Sequence, residues 1–522
     1  MTKRPSVFVR EATGLVRQFS GWDSFAVQFG GDVVVVALAT LFVATTYLPG
    51  ADLLVALLII LPVLAFYFVA ISQVGVAMPR SGGDYVFTSR ALHPALGMAE
   101  GWMSVFLLIL NPAIFSGLIV TGFMPGLLEA IGMSAQATLL TDLGVQFVLD
   151  NIIMALCFLL VIIPIGKFSR AQTVFILLSI LGAIVVPLAL LALGHAGFVS
   201  AINAQSPLSY DSVISKAQSL GFKPQFSWID TVLVVPGLCF YLLTLWPLNI
   251  GGEIKNVKKN IPIGLVGGTV VAWVLFFLTA AVYYDVAGRD FISSIAFLAT
   301  NSPESSPFGS SVLLTSVLQY VYGLSVPTFL ISIGLVAACF IVIAQSILMA
   351  TRYVLAWAFD SIMPSKLASV SDRFGTPVPA TLVLWIISEI VLIVQLLWSS
   401  AIAVWLNAGI GVLLFIMSTT VAAAVFTRTR KDLFELSPSL TRRKVGGVHL
   451  ITISGVISSI ALAIFLVSVI VFPQVGYPVT PANVGFMILV YVLGVAAYYV
   501  AKYYRKTQGM DLELAFKQVP PE

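Results

Sequence analysis

Two carboxyl side chains lie deep inside long apolar stretches of the sequence, where a titratable group could bind a proton or a cation. Asp32 follows Trp22 by ten residues and Glu389 follows Val378 by eleven, which places each about 15 Å along a helix. No lysine or arginine occurs at that depth. Because an unpaired charge there costs at least about 2.5–3.5 kcal/mol, we expect both carboxyls to be protonated for part of the time. The alternative is a neutral carboxyl that only hydrogen-bonds between helices; we favour it for Glu389, and a functional role for Asp32.

The stretch that contains Asp32 also contains residues that weaken a helix. Two glycines stand directly before the carboxyl, and paired glycines let backbone groups face a cavity. The sixth apolar stretch is interrupted in turn by Pro236-Gly237 and by Pro247. Pro247 has no amide hydrogen, so it frees the carbonyl of Leu243. We predict that both helices are broken near their middle.

These two stretches also begin alike. Residues 19–24 read Phe-Ser-Gly-Trp-Asp-Ser, and residues 226–231 read Phe-Ser-Trp-Ile-Asp-Thr. One stretch would enter the membrane from inside and the other from outside. An inverted pair of interrupted helices, five spans apart, is typical of the binding site of a secondary transporter. Ordinary kinks and a chance sequence match are the alternative.

The composition requires a membrane environment for these helices. Hydrophobic residues make up 59% of the 522-residue chain and charged residues only 10%, whereas soluble domains carry about a quarter of charged residues. This excludes a soluble globular protein, a disordered chain and a nucleic-acid-binding protein. We predict an all-α polytopic membrane protein with twelve spans, at residues 22–48, 53–78, 102–124, 149–166, 171–193, 229–250, 262–284, 321–350, 378–398, 401–426, 449–472 and 481–503.

The basic residues predict the direction of these spans. With the amino terminus inside, only Lys216, Lys223 and Arg289 of the 27 lysines and arginines fall outside the cell, and none falls within a predicted span. Cytoplasmic loops carry an excess of basic residues in membrane proteins. We therefore expect both termini in the cytoplasm and, since the polar amino-terminal tail has no cleavage signal, no signal peptide.

We predict no metal site, no cofactor and no enzymatic chemistry. The cysteines and histidines lie far apart, in apolar runs and in separate loops or helix ends, without the spacing of metal ligands. A membrane-embedded enzyme would need such groups in a cluster. These residues are Cys157, Cys239, Cys339, His93, His195 and His449.

Three loop motifs, in order and between the expected spans, resemble those of a known family. Residues 78–102 contain Pro-Arg-Ser-Gly-Gly-Asp-Tyr and then Glu-Gly-Trp; residues 253–262 read Glu-Ile-Lys-Asn-Val-Lys-Lys-Asn-Ile-Pro; residues 352–379 contain Arg-Phe-Gly-Thr-Pro-Val-Pro. They resemble the loops that follow helices 2, 6 and 8 of amino acid–polyamine–organocation transporters, with Val257 where the family usually has proline. The resemblance covers about residues 20–430.

This resemblance implies a five-plus-five inverted repeat, as in leucine-transporter-like folds, followed by two further helices. In the family, amides of the broken helix 1 hold the substrate carboxylate and carbonyls of the broken helix 6 hold its ammonium group. The residues expected around the substrate are Gln28, Gly30, Gly31, Asp32, Tyr241, Leu243, Thr244 and Trp246. The expected organisation is a cytoplasmic tail at 1–20, a ten-helix transport core at 21–426, a basic cytoplasmic loop at 427–448, helices 11 and 12 at 449–504 and a cytoplasmic tail at 505–522.

The sequence departs from the family at both breaks. Helix 1 has fewer glycines than usual and adds Asp32, while the segment 240–246 lacks the usual glycine and acid. Asp32 could therefore bind the substrate ammonium directly or act as the proton site. The candidates for ion coupling are Asp32, Arg170, Ser346 and Glu389; Arg170 could replace a bound ion or simply anchor its helix. Weaker polar candidates within the spans are Gln73, Asn111, Gln345 and Asn407.

Together these features lead us to expect a secondary active transporter of amino acids or related amines in the cell membrane. It would work by alternating access, coupled to H⁺ or Na⁺ or acting as an exchanger. Its partners would be the small-molecule substrate and the lipid bilayer, and the sequence does not determine an oligomeric state. A transporter of another organic cation or polyamine, a nutrient sensor and a channel on the same fold are the alternatives.

Overall fold

The long apolar stretches form helices, because a helix satisfies its own backbone hydrogen bonds where no water is available. The computed structural model describes residues 14–205, 208–309, 313–323, 325–405, 408–472 and 479–519. Within these ranges twelve helices are long and apolar enough to cross a membrane, which confirms the predicted number. We number them spans 1 to 12: Gly21–Thr40, Leu53–Ala77, Pro94–Glu129, Leu143–Ile162, Ile165–Ala204, Trp228–Asn249, Val257–Ala287, Val326–Phe359, Val378–Trp398, Ala408–Thr429, Leu450–Val471 and Pro481–Thr507.

Shorter elements connect the spans. The helices among them are Gly83–Ala91, Ser134–Leu139, Tyr210–Ser219, Arg289–Asn301, Leu314–Tyr322, Lys431–Leu436 and Glu513–Phe516, with 3-10 turns at Val43–Thr46, Gly251–Glu253, Pro303–Ser305 and Ser365–Ala368. Two short strands, Lys444–Val445 and Val448–His449, form an antiparallel hairpin before span 11. Its turn residues Gly446 and Gly447 both have positive φ angles, which glycine adopts without strain.

Span 1 lies at the centre of the bundle and span 12 at its edge. In their most apolar windows, 83% of span 1 residues are buried inside the protein but only 22% of those of span 12. Span 1 packs against spans 5, 7 and 8, and against the second half of span 6. Span 8 in turn packs along spans 3 and 5, and span 10 along span 11. The break in span 1 is therefore enclosed by several other helices.

Both helices are interrupted as predicted, and the break in span 6 lies next to Pro247, one of its two predicted positions. Span 1 consists of the helices Gly21–Gly31 and Val34–Thr40, and between them Val33 has a φ of 45°, a conformation that β-branched residues rarely adopt. Span 6 consists of Trp228–Leu242 and Trp246–Asn249. The prediction of a break at Pro236-Gly237 was wrong, because both residues continue the first helix. Packed neighbours let membrane helices tolerate proline.

The similar sequences at the start of spans 1 and 6 serve the same structural purpose. Ser20 caps span 1, and its side chain accepts a hydrogen bond from the amide of Asp23. Ser227 caps span 6 and accepts from the amide of Asp230 in the same way. Each serine thus satisfies an amide that the helix leaves unpaired.

Several helices are longer than predicted. Span 3 begins at Pro94, where His93 caps the helix, so Glu100 lies within the span and not before it. Span 5 begins at Ile165, and span 8 continues to Phe359. Arg170 and Arg352 therefore lie inside helices, which corrects the prediction that no basic residue falls within a span. The helices extend past the apolar runs from which the predicted bounds were taken.

Both ends of the described chain lie at one end of the bundle, which we call the termini end. The amide of Phe19 donates to the carbonyl of Glu253, 3.0 Å away. Near the other terminus, the carbonyl of Gln518 accepts from Nε of Arg90. The helix that bears Arg90 is joined to the end of span 6 by a bond from the amide of Gly82 to the carbonyl of Asn249.

Candidate functional site

Asp32 ends the first half of span 1, directly before the break, and is fully buried. Its Oδ1 accepts hydrogen bonds from the Thr244 hydroxyl at 2.6 Å and from the Gln28 side-chain amide at 3.2 Å. Its Oδ2 accepts from the Thr269 hydroxyl at 3.3 Å. These donors belong to the break in span 6, to span 1 itself and to span 7. The carboxyl of Asp32 therefore joins three spans.

The donors around Asp32 form a connected network. Nε2 of Gln28 also lies 2.8 Å from Oγ1 of Thr244 and 3.0 Å from Oγ1 of Thr269. Each threonine can thus accept from Gln28 and donate to Asp32. All three donors are neutral, and no ion pair joins Asp32 to a basic residue in the part of the chain that the structure describes.

The carbonyls released at the break in span 6 have side-chain donors in this structure. The Leu243 carbonyl, which Pro247 was predicted to free, accepts from the hydroxyl of Tyr67 at 2.8 Å. The Thr244 carbonyl accepts from Gln28 at 3.2 Å. An ammonium group on these carbonyls would therefore share the oxygen with Tyr67 or Gln28 or replace that side chain.

The two glycines before Asp32 allow close approach of other helices. A Cβ on Gly31 would stand 2.7 Å from Cδ2 of Trp246, and a Cβ on Gly30 would stand 2.2 Å from Oε1 of Gln345. A larger side chain at position 31 would therefore displace the indole ring of Trp246, and one at position 30 would displace the flexible end of Gln345. Gly31 and Trp246 bring the breaks of spans 1 and 6 into contact.

Tyr241 lies at the other side of the break in span 1. Its hydroxyl forms a hydrogen bond of 2.9 Å with the hydroxyl of Thr40 in the second half of that span. The eight residues expected around the substrate thus lie on the two interrupted helices. Thr40 and Tyr241 lie toward the end of the bundle opposite the termini end.

The remaining sequence candidates lie apart from Asp32. Ser346 is buried in span 8 and accepts from Asn111 at 2.8 Å. Glu389 is half-buried in span 9, where its Oε1 accepts from the indole of Trp385 at 2.5 Å. Arg170 is exposed on span 5.

Of the weaker candidates, Gln345 lies closest to the break, and its Nε2 donates to the Ala26 carbonyl at 3.1 Å. Gln73 is buried in span 2, where its backbone carbonyl accepts from the hydroxyl of Thr441. Asn111 is engaged with Ser346, and Asn407 lies outside the described residues.

Sequence reasoning missed two residues that contact the breaks. Thr269 carries no special motif and lies in an unbroken span, yet it donates to Asp32. Tyr67 is fully buried in span 2 and donates to the break in span 6. Neither residue type nor spacing distinguishes them from other polar residues in apolar helices, so their role depends on the packing of the bundle.

Two buried ion pairs hold the termini end together. Nε and Nη2 of Arg352 donate to Oε1 and Oε2 of Glu253, each at 2.8 Å. Arg90 donates to the two oxygens of Asp360 at 2.8 and 2.6 Å. All four side chains are at most 1% exposed. They fasten span 8 to the end of span 6 and to the helix Gly83–Ala91.

Comparison with known proteins agrees with this architecture. The chain is 25% identical over 385 residues to a branched-chain amino acid permease of Bacillus subtilis (strain 168), covering 72% of this chain and 68% of the relative. It is 21% identical over 392 residues to a glutamate/serine transporter of the same organism, covering 74% and 67%. The family model for amino acid permeases matches residues 19–497. The chain is therefore a multi-pass membrane transporter that belongs to the amino acid permease family.

Proposed function

We propose that this protein carries amino acids or related amines across the cell membrane by alternating access, and that a proton bound at Asp32 drives the transport. The termini end would face the cytoplasm, because that direction puts nearly all basic residues on the cytoplasmic side. Spans 1 to 10 would form the transport core and spans 11 and 12 a support at its edge.

The observation that carries the proposal is the environment of Asp32. The carboxyl is fully buried, accepts from three neutral donors and lies where the two interrupted helices meet. Burial without a cation favours the protonated carboxyl, whereas the three donors favour the carboxylate. A group balanced in this way can change its protonation state when water reaches it.

Protonation would change what holds the breaks together. A carboxylate accepts from Thr244 and Thr269 at once, so it ties span 1 to spans 6 and 7. A protonated carboxyl donates a hydrogen bond from one of its oxygens. The threonine hydroxyl that donated to this oxygen must then turn away or accept the new hydrogen bond. The packing between span 1 and its partners would thus depend on the proton, as coupling requires.

Substrate would bind against the same breaks, among Gln28, Gly30, Gly31, Tyr241, Leu243, Thr244 and Trp246. Trp246 lies against Gly31, so its indole would move to make room for a ligand there. The substrate ammonium group has two possible acceptors, the span 6 carbonyls and Asp32 itself.

The test is transport by Asp32→Asn in proteoliposomes. We expect accumulation driven by a pH gradient to be lost, while counterflow of labelled against unlabelled substrate persists, because exchange needs no net proton movement. Glu389→Gln is the matched control, since it removes the other intramembrane carboxyl predicted from the sequence and lies apart from the breaks. Full gradient-driven accumulation by Asp32→Asn would refute the proton role.

Ligand binding separates the two possible acceptors. A thermal-shift screen of amino acids, polyamines and other amines on the wild type would identify a ligand by the stabilisation that binding produces. The same ligand should still stabilise Asp32→Asn if Asp32 carries only the proton. Loss of that stabilisation, with counterflow also lost, would instead assign Asp32 to the substrate ammonium group.

A further inference from the structure

Two further carboxyl groups, those of Asp84 and Glu100, are buried near the termini end. Asp84 is in the first turn of the helix Gly83–Ala91, and Glu100 is in span 3, two turns from its start. Both residues are fully buried. The two groups lie close together, because Tyr353, whose hydroxyl donates to Asp84, would stand 3.3 Å from a Cβ on Gly101, the residue after Glu100.

Each carboxyl accepts a hydrogen bond from a side-chain hydroxyl of another helix. The hydroxyl of Tyr353 donates to Oδ2 of Asp84, and the hydroxyl of Thr419 donates to Oε1 of Glu100. Oδ1 of Asp84 and Oε2 of Glu100 are buried and have no hydrogen-bond partner among the described residues. A buried oxygen without a partner is costly unless a proton or ligand satisfies it.

Further buried polar groups surround the pair. The Thr88 hydroxyl lies beside Glu100 and the Ser104 hydroxyl beside Tyr353. Both hydroxyls are buried, and they face Glu100 and the tyrosine that binds Asp84. Nε1 of Trp357 is buried and has no hydrogen-bond partner among the described residues. It would lie 3.2 Å from a Cβ on Gly101, the residue after Glu100.

Among the described residues, no basic side chain compensates the charge of this pair. No ion pair joins either carboxyl to a lysine, arginine or histidine in the described ranges. The nearest cation along the helix, Arg90, is bound at both oxygens of Asp360.

The other titratable groups that face the pair are tyrosines. They come from spans 2, 8 and 12 and are neutral at physiological pH. These residues are Tyr67, Tyr353 and Tyr491.

The local electrostatics assign different states to the two carboxyls. Burial raises the pKa of Asp84 to about 6, although the Tyr353 hydroxyl and the first amides of its helix counteract this rise. Asp84 is therefore mostly ionised at neutral pH. Glu100 lies inside a span, away from any helix start, and faces this negative charge. Ionising both together would leave two buried negative charges without a cation.

We propose that Asp84 and Glu100 form a second proton-binding site, separate from Asp32, which holds one proton on Glu100 at neutral pH. The proton comes from water at the termini end when the bundle opens there, and it forms the O–H bond of a carboxylic acid. The charge of the pair changes from −2 to −1. A second proton, on Asp84, makes the pair neutral in acid.

Tyr67 connects this site to the breaks. It interacts electrostatically with Asp84, with Glu100 and with Asp32, and its hydroxyl donates to the Leu243 carbonyl. A change of charge on the pair therefore acts on the same side chain that satisfies the break in span 6. The site goes beyond the transport function proposed above and does not depend on it.

Infrared difference spectroscopy of the protein in liposomes, titrated with pH, tests the site through the carbonyl band of protonated carboxyls. At pH 7 we expect one component of this band to be lost in Glu100→Gln and kept in Asp32→Asn. Asp150→Asn, which removes another buried carboxyl, is the matched control and should also keep the band. In Asp84→Asn the band should disappear at a lower pH than in the wild type, because the opposing charge is gone.

Three results would overturn the proposal. The first is a wild-type band in folded Glu100→Gln. The second is an unchanged titration in Asp84→Asn, which remains a test if Glu100→Gln does not fold. The third is weakening of the band when sodium replaces choline, because the pair would then be a metal-cation site. Since Asp32→Asn must keep the band, failure here is distinct from failure of the proton role of Asp32.

Discussion

Arg352 and Arg90 each hold a buried carboxylate through two charged bonds at the termini end, whereas Asp32 is held by three neutral donors at the helix breaks. Both environments exclude water. At the termini end the positive charge that pairs with each carboxylate is covalently part of the protein. At the breaks no basic residue among those described supplies this charge, and in the proposed function it arrives from outside, as a proton or as part of a ligand. On that proposal, the difference separates a carboxylate that fastens helices from one that responds to a gradient.

The largest effect should come from breaking an ion pair at the termini end. Arg352→Ala leaves Glu253 buried and unpaired, which should destabilise the protein by about 3–5 kcal/mol. Asp32→Asn keeps the shape of the side chain and removes a charge that no cation compensates, so it should change stability little or raise it. Thermal unfolding in detergent compares the two variants.

Lys502→Ala is the control for loss of a basic residue, because Lys502 and Glu513 form an exposed ion pair and exposed pairs contribute little. It should unfold close to the wild type. If Asp32→Asn were destabilised as strongly as Arg352→Ala, the carboxyl at the breaks would be as structural as those at the termini end, and the comparison would fail.

A smaller effect should appear as pH dependence at Asp84, which resembles Asp32 in having no cation. Its folded-state pKa is raised from 3.8 to about 6, so between those values the folded protein binds more protons than the unfolded chain. Stability should therefore rise as the pH falls from about 6 to about 4. The fully ionised group costs about 3 kcal/mol above that range, at 1.4 kcal/mol for each pH unit.

Unfolding measured from pH 7 to pH 4 in the wild type and in Asp84→Asn isolates this contribution, because all other carboxyls are common to both proteins. The variant should be more stable at pH 7 and should lose the advantage on acidification. An identical pH dependence in the two proteins would show that Asp84 has a compensating positive charge after all.

The sequence alone was sufficient to predict most of the architecture. Long apolar runs gave the twelve spans, and the residues before each interrupted helix, Ser20 and Ser227, act as caps as their type suggests. The break in span 1 lies at Asp32 and Val33, directly after the two glycines that led to its prediction. These features depend on local composition, which a single sequence shows directly.

The partners of the buried charges could not be predicted in the same way. Glu253 and Arg352 are 99 residues apart, and Glu100 was placed before its span because the apolar run begins later than the helix. Pro236 did not break its helix, since neighbouring spans support it. In each case the outcome depends on packing between distant segments, which apolar runs and residue spacing do not reveal.

The smallest effects should come from the hydroxyls that hold Asp32, and they test whether the carboxyl really depends on neutral donors. Thr244→Val and Thr269→Val keep the volume of the side chain and each removes one hydroxyl. The Thr244 bond is 2.6 Å long and the Thr269 bond 3.3 Å, so we expect the first variant to lose about 1–2 kcal/mol and the second clearly less. Gradient-driven uptake should fall in the same order. In an Asp32→Asn background both substitutions should matter less, because the charged acceptor is gone; equal effects in the two backgrounds would mean that the threonines act only through packing.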